Sequence, residues 1–271
     1  MNKSFLTLPD LLQPSTVRRA LAGLVLACSL AGCKDATVPA PETGTDYYPL
    51  AVGNYWIYAV TDTTWSQATQ GVPSVATASA YRVKETIKAI AADAAGLPTY
   101  QLYRAKLAPG ATAYRDDSVF TVRTSAQAVV LNHGNNPTVE LIFPVKAGRS
   151  WNFNAYNNST NDTLSAETRK YSQVGQPFTT AATAGVGAKT YPNTLTTANT
   201  GNAAENSLIK RKSYQQVFAK GIGPVYRRRD YFENFYYTST TPPNAGNVIY
   251  VAGSYFKAFS RRETLVEYQV K

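Results

Sequence analysis

Histidine is all but missing from this chain: His133 is the single one in 271 residues. Cysteine is nearly as scarce, with Cys28 and Cys33 alone, and the one methionine stands at position 1. A metal site of imidazoles and thiolates needs several such donors, and a disulfide framework needs more than one pair, so composition excludes both. His133 itself lies in Asn132-His133-Gly134-Asn135-Asn136-Pro137, a solvated turn rather than the setting of a general base. Nucleophile signatures are absent as well: Ala252-Gly253-Ser254-Tyr255 lacks the second glycine of a serine elbow. Gly221-Ile222-Gly223 is a fragment of a dinucleotide fingerprint without its βαβ context, and reads as a tight β-turn. The one carboxylate doublet, Asp116-Asp117, would point its two side chains to opposite faces of a strand. No catalytic residue, metal or cofactor is assigned. A surface carbohydrate-active hydrolase would have to combine dispersed carboxylates, such as Asp116 with Glu140 or Glu167, and stands only as the alternative to a non-catalytic role.

Long apolar runs are lacking too. The strongly apolar stretch at residues 20–32 is too short to cross a hydrocarbon core of about 30 Å as a helix. Lys3, Arg18 and Arg19 precede it, which is the order of a secretory signal. The stretch closes on Leu30-Ala31-Gly32-Cys33, which resembles the bacterial lipobox. That resemblance implies cleavage of residues 1–32 as a signal peptide and acylation of Cys33. The mature chain then keeps no free thiol for catalysis or redox exchange. Several acyl chains, each buried methylene contributing about 0.8 kcal/mol, hold such a protein stably on a membrane. Cys33-Lys34-Asp35 resembles the export signal of surface lipoproteins in Bacteroidota, departing from it at Ala36. The expected address is the outer membrane, lipid-anchored, with exposure at the cell surface.

Residues 33–46 are rich in Pro, Thr and Glu without periodicity, and read as the lipidated cysteine and a flexible tether. From Tyr47 onward the chain is aromatic and turn-punctuated. Tyrosine reaches 19 of 271 residues, and apolar types 44%, so residues 47–271 can bury a substantial core. Residues 81–90 alternate Val83, Glu85 and Ile87 against Arg82, Lys84 and Lys88. Comparable short runs recur at 55–60, 100–107, 119–122, 128–131 and 139–143, and again from residue 207 to 270. Period-two patterning cut by turns argues antiparallel sheet. The alanine-rich stretch at 87–97 ends on Gly96-Leu97-Pro98, and reads as a hairpin rather than a helix. Residues 160–206 change to Thr, Ala, Asn and Gly, a loop-rich middle with short strands at 167–174 and 195–198. The fold class expected is mainly β: one large, strongly curved antiparallel sheet or incomplete barrel.

One internal echo stands out. Tyr48-Pro49-Leu50 with Gly53 and Trp56 is matched by Phe143-Pro144-Val145 with Gly148 and Trp151. Proline pins the approach, glycine turns the chain, and tryptophan anchors the next strand. Two related β-meander halves are therefore expected, with both tryptophans buried and Trp65, beside Thr63 and Thr64, more exposed. These two motifs, with Ala-Lys-Gly-Ile-Gly-Pro-Val-Tyr ending at Tyr226, resemble uncharacterised Bacteroidota outer-membrane lipoproteins. The resemblance implies a β-rich, extracytoplasmic domain in which Gly221 and Gly223 are structural, and it supplies no active residue.

Charge is unevenly spread. The chain has 27 bases against 17 acids, and from Lys210 onward there are 11 bases and 4 acids. Lys210, Lys212, Arg227, Arg229 and Arg261 interleave with Tyr226 and Tyr231. On a strand Arg227 and Arg229 share a face and Arg228 takes the other. Such a surface suits an acidic polysaccharide or an acidic envelope protein through charge and aromatic stacking. Nucleic acid would satisfy the same physics, but the export signal argues against it. A membrane-anchored, non-catalytic binding or envelope-structural lipoprotein is the function expected, with membrane lipid engaged through Cys33.

Overall fold

The computed structural model describes residues 43–93, 96–156, 167–183, 186–201 and 205–271. The expected signal peptide, Cys33 and most of the expected tether lie outside the described residues. The described chain opens on a 3-10 turn, Thr45–Tyr47, and continues as twelve strands. The first six are β1 (Tyr55–Trp65), β2 (Ala76–Ala92), β3 (Pro98–Leu107), β4 (Arg115–Thr124), β5 (Ala128–His133) and β6 (Asn136–Ile142). The second six are β7 (Ser150–Asn152), β8 (Thr168–Thr179), β9 (Thr190–Asn199), β10 (Lys210–Ala219), β11 (Gly223–Thr238) and β12 (Val248–Gln269).

All described pairings are antiparallel, and each strand neighbours the next in sequence except β6 and β7, with β1 against β12. The sheet therefore curls into a nearly closed up-and-down barrel. Its single seam falls between β6 and β7, the two edges of the sheet. The seam is stitched without a ladder. Val139 N–H donates to the Phe153 carbonyl at 2.8 Å, and the Trp151 indole donates to the Val139 carbonyl at 2.8 Å. The Tyr171 hydroxyl replaces a missing strand: it accepts from Ile142 N–H at 2.8 Å and donates to the Ile142 carbonyl at 2.5 Å. Buried backbone groups at an edge need such partners.

Local chemistry explains the turns. Gly134 and Asn135 both take positive φ, 58° and 60°, as a two-residue hairpin between β5 and β6 requires. The alanine-rich stretch is a hairpin, closed by Asp93 N–H to the Leu97 carbonyl at 2.9 Å. The middle of the chain is more regular than its composition suggested, because β8 and β9 are paired strands of twelve and ten residues.

The echoed motifs each open a six-strand meander, Trp56 in β1 and Trp151 in β7. In both, glycine is left-handed, Gly53 at 96° and Gly148 at 77°. In both, the indole N–H donates to a backbone carbonyl, Trp56 to Ile222 at 2.6 Å and Trp151 to Val139. They differ in depth. Trp56 is 1% exposed, whereas Trp151 is only half-buried. The difference follows from position, since β1 is paired on both sides and three-residue β7 is an edge. Trp65 is half-buried as well, held among Phe232 and Tyr255.

Alternate residues of each strand fill one end of the barrel with an apolar plug that includes Trp56, Tyr58, Ile87, Leu141, Phe218 and Leu265. Tyr47 and Tyr48 fold onto the plug from the opening turn, Tyr48 against the Phe218 ring at 5.9 Å. Gly223, with φ of 101°, leaves room for Trp56; an added Cβ would lie 3.3 Å from the indole nitrogen. A Cβ on Gly221, by contrast, would touch nothing, so its φ of 73° alone calls for glycine.

Candidate functional site

Above the plug the barrel interior turns polar. Glu85 of β2, Arg104 of β3, Arg227 of β11 and Glu263 of β12 meet there. The two Nη atoms of Arg227 donate to the Glu85 oxygens at 2.8 and 3.0 Å, and Nη1 also reaches Glu263 at 3.0 Å. Arg104 donates to Glu263 at 2.5 Å and lies 3.9 Å from Glu85. These bonds link strands on either side of the β1–β12 pair and act as a strut inside the barrel. Burial alone would raise the Glu263 carboxyl, but Arg104 and Arg227 outweigh it and hold the group down at about 2. Burial opposes the Arg227 charge too, yet Glu85, Tyr58 and Glu263 keep its guanidinium well above the ordinary arginine value.

Two hollows adjoin the strut. One, of about 230 Å³, has apolar walls of Leu102, Phe120 and Leu131, with His133, Glu140 and Gln216 among its polar groups. His133 stacks on Phe120 at 4.5 Å. Glu140 is buried and accepts from the Thr138 hydroxyl at 2.9 Å. The other hollow, of about 530 Å³, presents rings of Phe153, Tyr214, Tyr231 and Phe259 with Asn136 and Asn199. Tyr231 and Phe259 stack nearly parallel, 11° apart at 5.7 Å. Burial pushes the Tyr214 hydroxyl up to about 12. For Tyr231, burial and the hydrogen bond to Glu233 push it up to about 12 as well. Both stay protonated donors at neutral pH.

Register puts most of the sequence-derived candidates on this inner face. Lys212 pairs with Tyr231 across β10 and β11, Arg227 with Glu263, and Arg229 with Arg261 across β11 and β12. Lys210, beside Glu233, stands 5.9 Å from the Tyr231 ring. Tyr226 is separated from them: it faces outward and packs on Phe178 at 5.4 Å. The inner bases are largely neutralised. Lys212 lies 3.4 Å from Glu167, and Arg261 2.6 Å from Asp62. Arg229 differs. It is exposed, lines both hollows, sits 5.4 Å from the Tyr214 ring, and has no carboxylate within 4.0 Å among the described residues.

The dispersed carboxylates do not form a pair over one space. Asp116 is exposed at the start of β4, while Glu140 and Glu167 line different hollows, and Glu167 is bound by Arg169 at 3.0 Å. Glu85, Arg104 and Glu263 were missed in the sequence, because a long-range strut has no local spacing to betray it. No family model, curated protein or solved structure matches this chain.

Proposed function

We propose that the chain is a lipid-anchored, extracytoplasmic binding protein of the outer membrane whose polar lumen takes a small acidic saccharide. The lipobox at Cys33 and the Lys34-Asp35 signal support the address. Arg229 carries the binding assignment: it is the exposed cation common to both hollows, left without a carboxylate while Arg104, Arg227, Lys212 and Arg261 each have one. A guanidinium fork matches a ligand carboxylate bidentately. The Tyr231–Phe259 stack and Tyr214 offer ring faces, and Asn136 and Gln216 offer amide groups for hydroxyls, whereas the Asn199 amide is already bound to Glu205, Lys212 and Tyr214. The related envelope resemblance, to Bacteroidota lipoproteins, is consistent with such a role.

Titration calorimetry with di- and trisaccharides of galacturonic acid tests this on the mature domain. Wild type should bind, and Arg229→Ala should weaken binding at least about tenfold, which corresponds to about 1.4 kcal/mol. The methyl-esterified sugars should bind poorly. Equal affinity of Arg229→Ala and wild type would overturn the lumen assignment.

A further inference from the structure

The outer wall of the same strands carries a second feature, whose cations and aromatic rings belong to neither hollow. Reading across β1, β12, β11 and β10, three rows of side chains lie side by side. One row is Trp65, Ala258, Phe232 and Arg211. The next is Thr63, Ser260, Asp230 and Ser213. The third is Thr61, Arg262, Arg228 and Gln215. Small side chains in the middle row form a floor, and large ones on either side form walls. The result is a trough of about 590 Å³. It crosses the strands and spans roughly 14 Å over four of them, at about 4.8 Å per strand.

Its charge is one-sided. Asp230 is the trough's carboxylate, and it is already engaged by Arg228 at 2.6 Å and by the Ser260 hydroxyl at 2.6 Å. Arg211 and Arg262 are exposed and have no ion-pair partner among the described residues. Arg211 is oriented instead by the Phe232 ring, 4.7 Å away. Arg228 and Arg262 are direct cross-strand neighbours. Like charges placed opposite each other destabilise a sheet. Asp230 answers only one of the two. An arrangement that costs stability and leaves guanidinium groups free fits a surface whose missing anion comes from outside.

We infer that this trough binds an extended acidic polysaccharide. The aromatic wall supplies ring faces, with Trp65 and Phe232 at 5.3 Å edge-on across small Ala258. The floor hydroxyls of Thr63 and Ser213 meet sugar hydroxyls, and Arg211 and Arg262 meet carboxylates along the chain. A peptide is the poorer match, because strand addition needs a free backbone edge: β1, β12 and β11 are paired on both sides here, and beyond its ladder with β9 the edge of β10 is taken up by Glu205, Asn206 and Asn199. This site stands independently of the lumen assignment, since its side chains take the other face and its cations, Arg211, Arg228 and Arg262, line neither hollow, although Ser213 and Asp230 border the larger one too.

Alginate, a linear polyuronate, is the probe, tested by affinity electrophoresis and calorimetry on the mature domain, with neutral dextran as control. Arg211→Ala/Arg262→Ala should lose at least about tenfold in affinity, and wild-type binding should weaken steeply with salt. Both residues are exposed and unpaired, so the variant should melt as wild type does or slightly above it. Trp65→Ala tests the aromatic wall and should also weaken binding. Arg211→Ala/Arg262→Ala should leave binding of the galacturonic acid disaccharide unchanged, which separates this site from the lumen. The inference is overturned if wild type fails to bind alginate, or if Arg211→Ala/Arg262→Ala binds it as well as wild type. It is equally overturned if that variant loses binding only to phosphatidylglycerol vesicles, which would make the trough a membrane contact.

Discussion

At the scale of the residue, the decisive feature is a charge that the fold cannot do without. Glu263 is buried between two guanidinium groups, and breaking a buried pair by removing one partner costs far more than the pair itself contributes. Glu263→Gln should therefore destabilise by about 3–5 kcal/mol, since Arg104 and Arg227 would share Glu85 alone. The same group sets a pH dependence. Its carboxyl sits at about 2 when folded against an ordinary 4.5, so between those values the unfolded chain binds more protons than the folded one. Stability from this group is complete above the ordinary value and is lost as pH falls through 4.5 toward 2, on the order of 3 kcal/mol in all. Urea melts at neutral pH and at about pH 3 measure it. The variant should lose less on acidification than wild type does, and an unchanged acid slope would mean that another carboxylate governs the effect.

At the scale of the element, the strands were legible and their depth was not. Alternation in residues such as Val83, Glu85 and Ile87 marks β2 because side chains of a strand point alternately to its two faces. The same parity correctly put Arg227 and Arg229 opposite Arg228. Parity does not say which face looks inward, and here the interior holds the strut as well as the apolar plug, so a charged residue such as Glu85 carries no outward signal. Nor could it show that Lys212, Arg227 and Arg261 would find carboxylates from Glu167, Glu85 and Asp62, partners 45 to 199 residues away in the chain. The echoed motifs were visible, but their equivalence in burial was not, because an edge is a property of the closed sheet. Trp56→Ala should cost about 3–5 kcal/mol through lost transfer and a cavity. Trp151→Ala, half-exposed on β7, should cost no more than about half of that. Denaturant melts of the two variants compare them directly, and equal losses would show that the seam is packed as tightly as the barrel wall.

At the scale of the whole molecule, the barrel is a pure meander with one weak line. Eleven strand pairs carry ladders, and the twelfth contact, β6 to β7, relies on a few individual bonds. Two of these come from one side chain. Tyr171 is fully buried, its ring lies 4.8 Å from Trp151, and burial raises its hydroxyl far above the ordinary tyrosine value even though the hydrogen bond it accepts from Ile142 N–H works in the other direction. It is thus a permanent donor and acceptor, able to satisfy both Ile142 backbone groups at once. Tyr171→Phe keeps the ring and the packing while leaving that N–H and that carbonyl without the hydroxyl. A buried polar group stripped of its partner costs about 1–3 kcal/mol. Because the loss falls on the seam, local opening should respond more than the ladders elsewhere. Hydrogen exchange should accelerate at Ile142 and along β6 and β7, while amides of β1, β11 and β12 should slow or quicken only with global stability. Uniform acceleration throughout the barrel would show that the seam opens only when the whole sheet does, and that the barrel behaves as closed.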